Sequence, residues 1–317
     1  MKKHAVLLLA LAGVLGMPLF MRSGSLASEV LIFALAAMAC NLLLGYAGLL
    51  SFGQGVFFGL GSYTMALLLT RWPVPMPLAL LCAVAAGALG AAVVGWIAIR
   101  QRGVYFVMLT LGLAQMVYFV AYSLPGITGG DNGLLDIPRP AITLMGRTLW
   151  PLETPWQYYG FVAVVFMLVF WLMHRTEHSI FGRTLLAVRD NPERAAAIGY
   201  DLKQLKLRAF VISGAVTGLA GALHAMMTGV APLSNVEYHT SEKILVMTVI
   251  GGTSNLFASV LGSAFYLLMS DWLSALWPRW LMLLGVLLIV VSLAMQGGLW
   301  GLGEQLWRLV RRPEVGR

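Results

Sequence analysis

Residues 241–270 read Ser241-Glu-Lys-Ile-Leu-Val-Met-Thr-Val-Ile-Gly-Gly-Thr-Ser-Asn-Leu-Phe-Ala-Ser-Val-Leu-Gly-Ser-Ala-Phe-Tyr-Leu-Leu-Met-Ser270. A helix needs about 20 apolar residues to cross a ~30 Å hydrocarbon core, so this stretch is too long for one crossing. It is also interrupted by Gly251-Gly252-Thr253-Ser254-Asn255, a turn-type cluster that a straight helix disfavours. The reading is two segments hinged at Gly251–Asn255, and it decides on which side of a membrane the rest of the chain emerges.

Outward from this stretch the chain is apolar throughout. Runs near 5–20, 29–46, 55–70, 77–99, 103–122, 157–173, 209–229 and 279–296 qualify as spans or nearly do. Of the 317 residues 59% are hydrophobic and only 11% charged, with a mean hydropathy of +0.83. A water-facing globule carries about a quarter charged residues, so the composition selects an all-α polytopic membrane bundle of about 9–10 segments. It excludes a disordered chain, a secreted disulfide scaffold and a nucleic-acid binder. Cys40 and Cys82 lie inside apolar runs and form no CxxC pair.

The net charge of +8 reports topology, because basic residues near span ends favour the cytoplasm. Lys2 and Lys3 place the N-terminus inside. Successive crossings put Arg100 and Arg102 inside, then the loop 174–208 with Arg175, Arg183, Arg189, Arg194, Lys203, Lys206 and Arg208. The loop 123–156, carrying Asp131, Asp136 and Glu153, falls outside. Two crossings over 241–270 return the basic tail 301–317, with Arg308, Arg311, Arg312 and Arg317, to the inside behind a permeating domain of 1–300. Ser25-Leu26-Ala27 also fits the small-x-small end of a cleavable signal peptide, which leaves removal of the first span as a second reading.

Glycine marks two breaks. The segment Gly45–Gly61 concentrates Gly beside Ser51 and Gln54, and Gly251–Tyr266 loosely echoes it, hinting at an internal repeat. Small residues let helices approach closely; broken helices at membrane depth also line solute paths. On the second reading Gly45, Gly48, Ser51, Gln54, Gly55, Gly251, Gly252 and Ser254 belong to a translocation path.

Enzyme chemistry finds little support. No GxxxxGK[ST] pattern occurs, and no Asp or Glu sits in the middle of a confident span, which disfavours ion-coupled transport. His174-Arg-Thr-Glu-His178 matches H-x-x-E-H, but it closes a span without an evident third ligand, so a polar membrane interface is the reading and no metal site is assigned. His224 reads as a buried, hydrogen-bonded histidine. It lies 11 residues from Ser213, about 16 Å along a helix, too far for a direct nucleophile–base bond. No catalytic residue is expected.

The loop 174–208 reads as a docking element. Asp190 or Asn191 caps a helix begun by Pro192, with Glu193 near its positive end and Gly199 to stop it. Such a helix would expose Ala195, Ala196 and Ala197 to a partner.

At these residues the chain resembles the integral-membrane permeases of branched-chain amino-acid ABC importers, the LivM-like subunits. The blocks are Asn41-Leu-Leu-Leu-Gly-Tyr-Ala-Gly-Leu-Leu-Ser-Phe-Gly-Gln-Gly, Arg102-Gly-Val-Tyr-Phe-Val-Met-Leu-Thr-Leu, Thr128-Gly-Gly-Asp-Asn-Gly-Leu, Phe181-Gly-Arg-Thr-Leu-Leu-Ala-Val-Arg-Asp-Asn and Ala-Gly-Ala at 220–222. The resemblance implies a bacterial inner-membrane importer subunit for leucine, isoleucine and valine, or alternatively for urea, short amides or another small polar solute. It implies a homologous second permease, two cytoplasmic ATPase subunits that carry ATP and Mg, and a periplasmic solute-binding protein, with no cofactor on this chain. Glu193-Arg-Ala-Ala-Ala-Ile-Gly199 is similar to the signature that docks the ATPase, departing from E-A-A at Arg194 and lacking the later Leu-Pro. Ala187, Arg189, Asp190, Asn191, Glu193, Ala195, Ala196, Ala197 and Gly199 are the implied docking residues. Thr128, Gly129, Gly130, Asp131 and Asn132 are the implied contacts for the binding protein.

Overall fold

The computed structural model describes residues 2–21, 23–72, 74–140, 142–144, 147–253, 255–294 and 298–301. Its helices are α1 (Lys2–Phe20), α2 (Gly24–Asn41), α3 (Gln54–Thr70), α4 (Met76–Ala98), α5 (Val104–Tyr122), the single turn α6 (Pro125–Thr128), α7 (Pro155–Glu177), α8 (Ile180–Asp190), α9 (Pro192–Ala197), α10 (Leu202–Thr228), α11 (Tyr238–Gly251), α12 (Leu256–Leu276) and α13 (Trp280–Ala294). The outer loop adds a short antiparallel hairpin, β1 (Ile142–Leu144) with β2 (Arg147–Trp150), which the all-α expectation did not contain.

Six of these helices are long and apolar enough to cross a membrane by themselves: α2 with its extension to Tyr46, α4, α5, α7, α10 and α12. The chain is a multi-pass membrane protein. The stretch Leu9–Pro18 and helix α3 are apolar but shorter.

The hinge expected over Gly251–Asn255 is present. α11 ends at Gly251, and Gly252 adopts φ +106, a conformation natural only to glycine. α12 restarts with the Asn255 side chain accepting the Ala258 N–H at 2.8 Å. α11 runs alongside α2 in the same direction: Lys243 meets Glu29, Thr248 Oγ1 donates to Ala37 O at 3.1 Å, and Thr253 closes on Gly45. α12 returns, bringing Leu268 and Asp271 back beside Ser25 and Glu29. Beyond α13, Gly298 abuts Gly252 and Trp300 meets Phe257 at 5.6 Å, so this end lies on the face where α2 finishes.

α2 is the axis of the bundle. Residues Val30–Ala39 are at most 4% exposed; a helix that is apolar all round has no polar face to turn to water and is enclosed on every side. Against the opposite flank, α10 packs on α3 and α4 through small residues. A Cβ on Gly221 would sit inside the radius of the Phe58 carbonyl oxygen, and one on Gly61 inside that of Gly218. Without a hydrophobic drive between helices in lipid, such backbone approach supplies the dispersion contacts that hold the seam.

Candidate functional site

The α8–α9 hairpin is built from capping residues. Ser179 Oγ accepts the Gly182 N–H at 3.3 Å to start α8. Asn191 Oδ1 accepts the Arg194 N–H at 2.9 Å, and Pro192 follows in the first turn of α9. Gly199, at φ +93, ends it: Gly199 N donates to Ala196 O at 3.0 Å and Tyr200 N to Ala195 O at 3.2 Å. Asp201 then caps α10 through the N–H groups of Lys203 and Gln204 at 3.0 and 3.1 Å.

One contact straps this hairpin to the end of α2, and a second ties the end of α7 there. Arg189 Nη1 donates to Gly45 O, and its Nη2 lies 3.0 Å from Asp190. Tyr46 OH donates to Glu177 at the end of α7. The exposed surface differs from the sequence reading in one respect. Ala195 is 3% exposed and packs inward, so it presents nothing to a partner. Ala196 and Ala197 are exposed as expected, Ala187, Glu193 and Gly199 are exposed as well, and they are joined by Ile198 at 70% and Ile180 at 76% exposure. A single turn cannot show three consecutive alanines on one side, and the side that remains open is the isoleucine side.

The two glycine breaks, some 200 residues apart in sequence, lie against each other. α2 closes in a π-helical turn, Leu42–Tyr46, Asn41 Nδ2 donates to Asn255 O at 2.8 Å, and a Cβ on Gly45 would lie 2.6 Å from Thr253 O. The expectation that these residues line an open path is corrected by their packing. Gly45, Ser51, Gln54, Gly55, Gly251 and Gly252 are buried inside the subunit, and Gly48 is exposed but lies under Arg189. Ser254 lies outside the described residues. Gln54 is satisfied internally: Nε2 donates to Ser213 Oγ at 2.9 Å and Oε1 accepts from Thr217 Oγ1 at 2.7 Å. Ser241 Oγ accepts the Gly55 N–H at 2.7 Å and donates to Phe52 O at 2.6 Å. The two Ser241 bonds replace helical partners that the broken backbone lacks.

This network carries a stability prediction. Gln54→Leu leaves the Thr217 hydroxyl without its acceptor in a dry interior and is expected to cost about 1–3 kcal/mol. Thermal unfolding in detergent, followed by a thiol dye that reports exposure of the buried Cys40, checks it as a lowered midpoint.

In the outer loop, Thr128 and Gly130 are buried and hold the turn: Thr128 Oγ1 donates to Ala121 O at 2.6 Å and accepts the Gly130 N–H at 3.2 Å. They are therefore corrected to framework residues. Gly129 is half-buried, while Asp131 and Asn132 are exposed. Leu134 pairs with Ala231 across the mouth of the bundle, with N···O distances of 3.1 and 2.8 Å, and Arg71 donates to Gly126 O at 2.7 Å.

At the end of α7, the ligand-capable atoms of His174, Glu177 and His178 all lie within 4.8 Å of one another. The Glu177 carboxylate accepts from Tyr46 and faces both imidazoles, at 3.6 Å from His174 and 4.0 Å from His178, which makes the triplet part of the strap between α7 and α2. Ser213 bonds Gln54 and Ala39 O, at 2.9 and 2.8 Å, and not His224. His224 differs from the expected hydrogen-bonded histidine: its buried Nδ1 has no hydrogen-bond partner among the described residues, and its ring packs on Phe33 and Phe58 at 5.7 and 5.4 Å.

One pair escaped the sequence reading entirely. Glu29 and Lys243 form an ion pair at 3.6 Å, with 28% and 31% of their side chains exposed. They are 214 residues apart, and only the parallel run of α2 and α11 brings them together.

Comparison with known proteins places this architecture. The chain is 28% identical over 297 residues to the high-affinity branched-chain amino acid transport system permease protein LivM of Escherichia coli K12, covering 86% of this chain and 69% of that protein. LivM of Salmonella typhimurium is 27% identical over 94% of this chain and 75% of its own length. The fructose import permease protein FrcC of Rhizobium meliloti is 25% identical over 84% of this chain and 75% of its own. No solved structure matches. The sequence model of the branched-chain amino acid transport system permease component matches residues 23–292, so the chain belongs to this permease family and is a LivM-like transport subunit, not an enzyme.

Proposed function

We propose that this chain is one of two homologous permease subunits of an ABC importer in the bacterial inner membrane and that it translocates leucine, isoleucine and valine. The observation that carries the solute class is the match to two branched-chain amino acid permeases over 86% and 94% of the chain. The basic clusters near the span ends support a cytoplasmic position for α8–α9 and both termini. ATP and Mg reside on two partner ATPases, which dock on α8–α9 through Ile180, Ile198, Ala196, Ala197, Glu193 and Ala187. Closure of the ATPase dimer pushes this hairpin, and the strap from Arg189 to Gly45 passes the movement to α2. On the opposite face, Asp131 and Asn132 meet a periplasmic solute-binding protein. FrcC supports a second reading, in which the same framework carries a neutral sugar; urea and short amides form a third arm of the test.

The test is uptake of radiolabelled leucine, isoleucine, valine, fructose and urea by cells with and without the gene, in a strain lacking redundant carriers. Loss of branched-chain amino-acid uptake alone is the expected result. Loss confined to fructose or urea overturns the solute assignment, and no loss of any solute overturns the importer reading for all of them.

A further inference from the structure

We infer that Glu29 and Lys243 form a solute subsite that recognises the two charged ends of an amino-acid zwitterion; this deepens the amino-acid reading above and rests on it. The pair sits in the membrane-spanning region, each residue five positions past the start of its helix, about 7.5 Å in from the loop face. It is not sealed: roughly a third of each side chain is open, and the exposed side of α11 continues with His239 and Glu242. Ionisable groups facing hydrocarbon are costly and instead mark water-filled routes or paired interiors. The open face of α11 is therefore a polar surface toward the solute route.

The surroundings fit a small amphiphile. Glu29 lines a cleft of about 480 Å³ together with Ser23, Ser25, Asp271, Leu26 and Leu268, within the size range of small-molecule sites. Glu29 and Asp271 line the cleft, and Lys243 is reached through Glu29, its Nζ 3.6 Å from that carboxylate and 4.1 Å from the Phe33 ring centroid. A zwitterion placed there sets its ammonium between Glu29 and Asp271, its carboxylate on Lys243, and its aliphatic chain on Leu26 and Leu268. The Glu29–Lys243 bond opens as two charge-assisted bonds to the ligand form. Groups of both signs thus receive a ligand with separated charges, a match that neither a sugar nor urea offers.

The complete importer, reconstituted in proteoliposomes with its partner permease, ATPases and binding protein, tests this. The key variant is Glu29→Gln with Lys243→Gln, which removes both charges and leaves neither unpaired. We expect normal assembly and basal ATPase activity with leucine uptake reduced at least about tenfold, while Glu29→Asp and Lys243→Arg each keep at least about a third. Displacement of bound leucine from the permease–ATPase complex adds a readout that a structural role would not move. Wild type should prefer leucine over leucinamide and over isocaproate; Lys243→Met should lose only the first preference and Glu29→Gln only the second. Uptake by the double variant within about twofold of wild type, equal losses in the charge-preserving variants, or unchanged preferences in the single variants each overturn the subsite. A wild-type importer that moves fructose or urea but not leucine overturns the amino-acid reading itself, and the subsite with it.

Discussion

Gly221→Leu is expected to eliminate the assembled protein from the membrane. The added Cβ would overlap the Phe58 carbonyl oxygen, and backbone, unlike the end of a flexible side chain, has nowhere to yield. Overpacking a core costs about 1–3 kcal/mol where side chains can adjust. Here α3 and α10 would have to part along a seam that also includes Gly61 and Gly218, so the cost exceeds that range. Gly112→Leu is the control, because a Cβ there meets nothing within 4 Å and the position is exposed. Quantifying detergent-extracted, monodisperse protein should show loss for the first and near-normal yield for the second. Equal yields would mean that the seam is looser than described.

Ile198→Asp is expected to abolish coupled transport while sparing the fold. Ile198 is 70% exposed, so its replacement costs the isolated subunit little, within about 0.5 kcal/mol. In the proposed docked complex the same position would become the dry centre of an interface, where truncating an anchor costs about 2 kcal/mol or more and burying a carboxylate costs further. Co-purification of the ATPase subunits and leucine uptake should both fall by at least about tenfold, at unchanged membrane abundance. Retained co-purification and uptake would move the docking surface away from α9.

Local features of this structure were readable from neighbouring residues. Gly251–Asn255 announced its hinge, and Asn191, Pro192 and Gly199 announced the ends of α9, because caps and left-handed turns depend on a few adjacent side chains. Which face of an element is open depends on the rotation of that element in the fold. That is why Ala195 was expected outside and is inside, and why Ile180 and Ile198 were passed over. Gln54 drew attention as a polar residue beside a break, yet its partners Ser213 and Thr217 stand more than 150 positions away and keep it buried. A similar separation in sequence hid the pairing of Glu29 with Lys243. The strands of the outer-loop hairpin, three and four residues long, are too short for alternation to mark them in advance.

The burial of α2 also bears on how the chain is made. α2 is enclosed by partners that include α7, α10, α11 and α12, all made after it, and among the described residues its Asn41 side chain is matched by the backbone of Asn255. At synthesis rates of about 5–20 residues per second, about 10–40 s separate the two. During that interval α2 must wait with its polar end unmatched, held by the insertion machinery or by transient neighbours. Truncation before Leu256 would therefore strand the central helix, and quality-control proteases would meet such a fragment as a substrate.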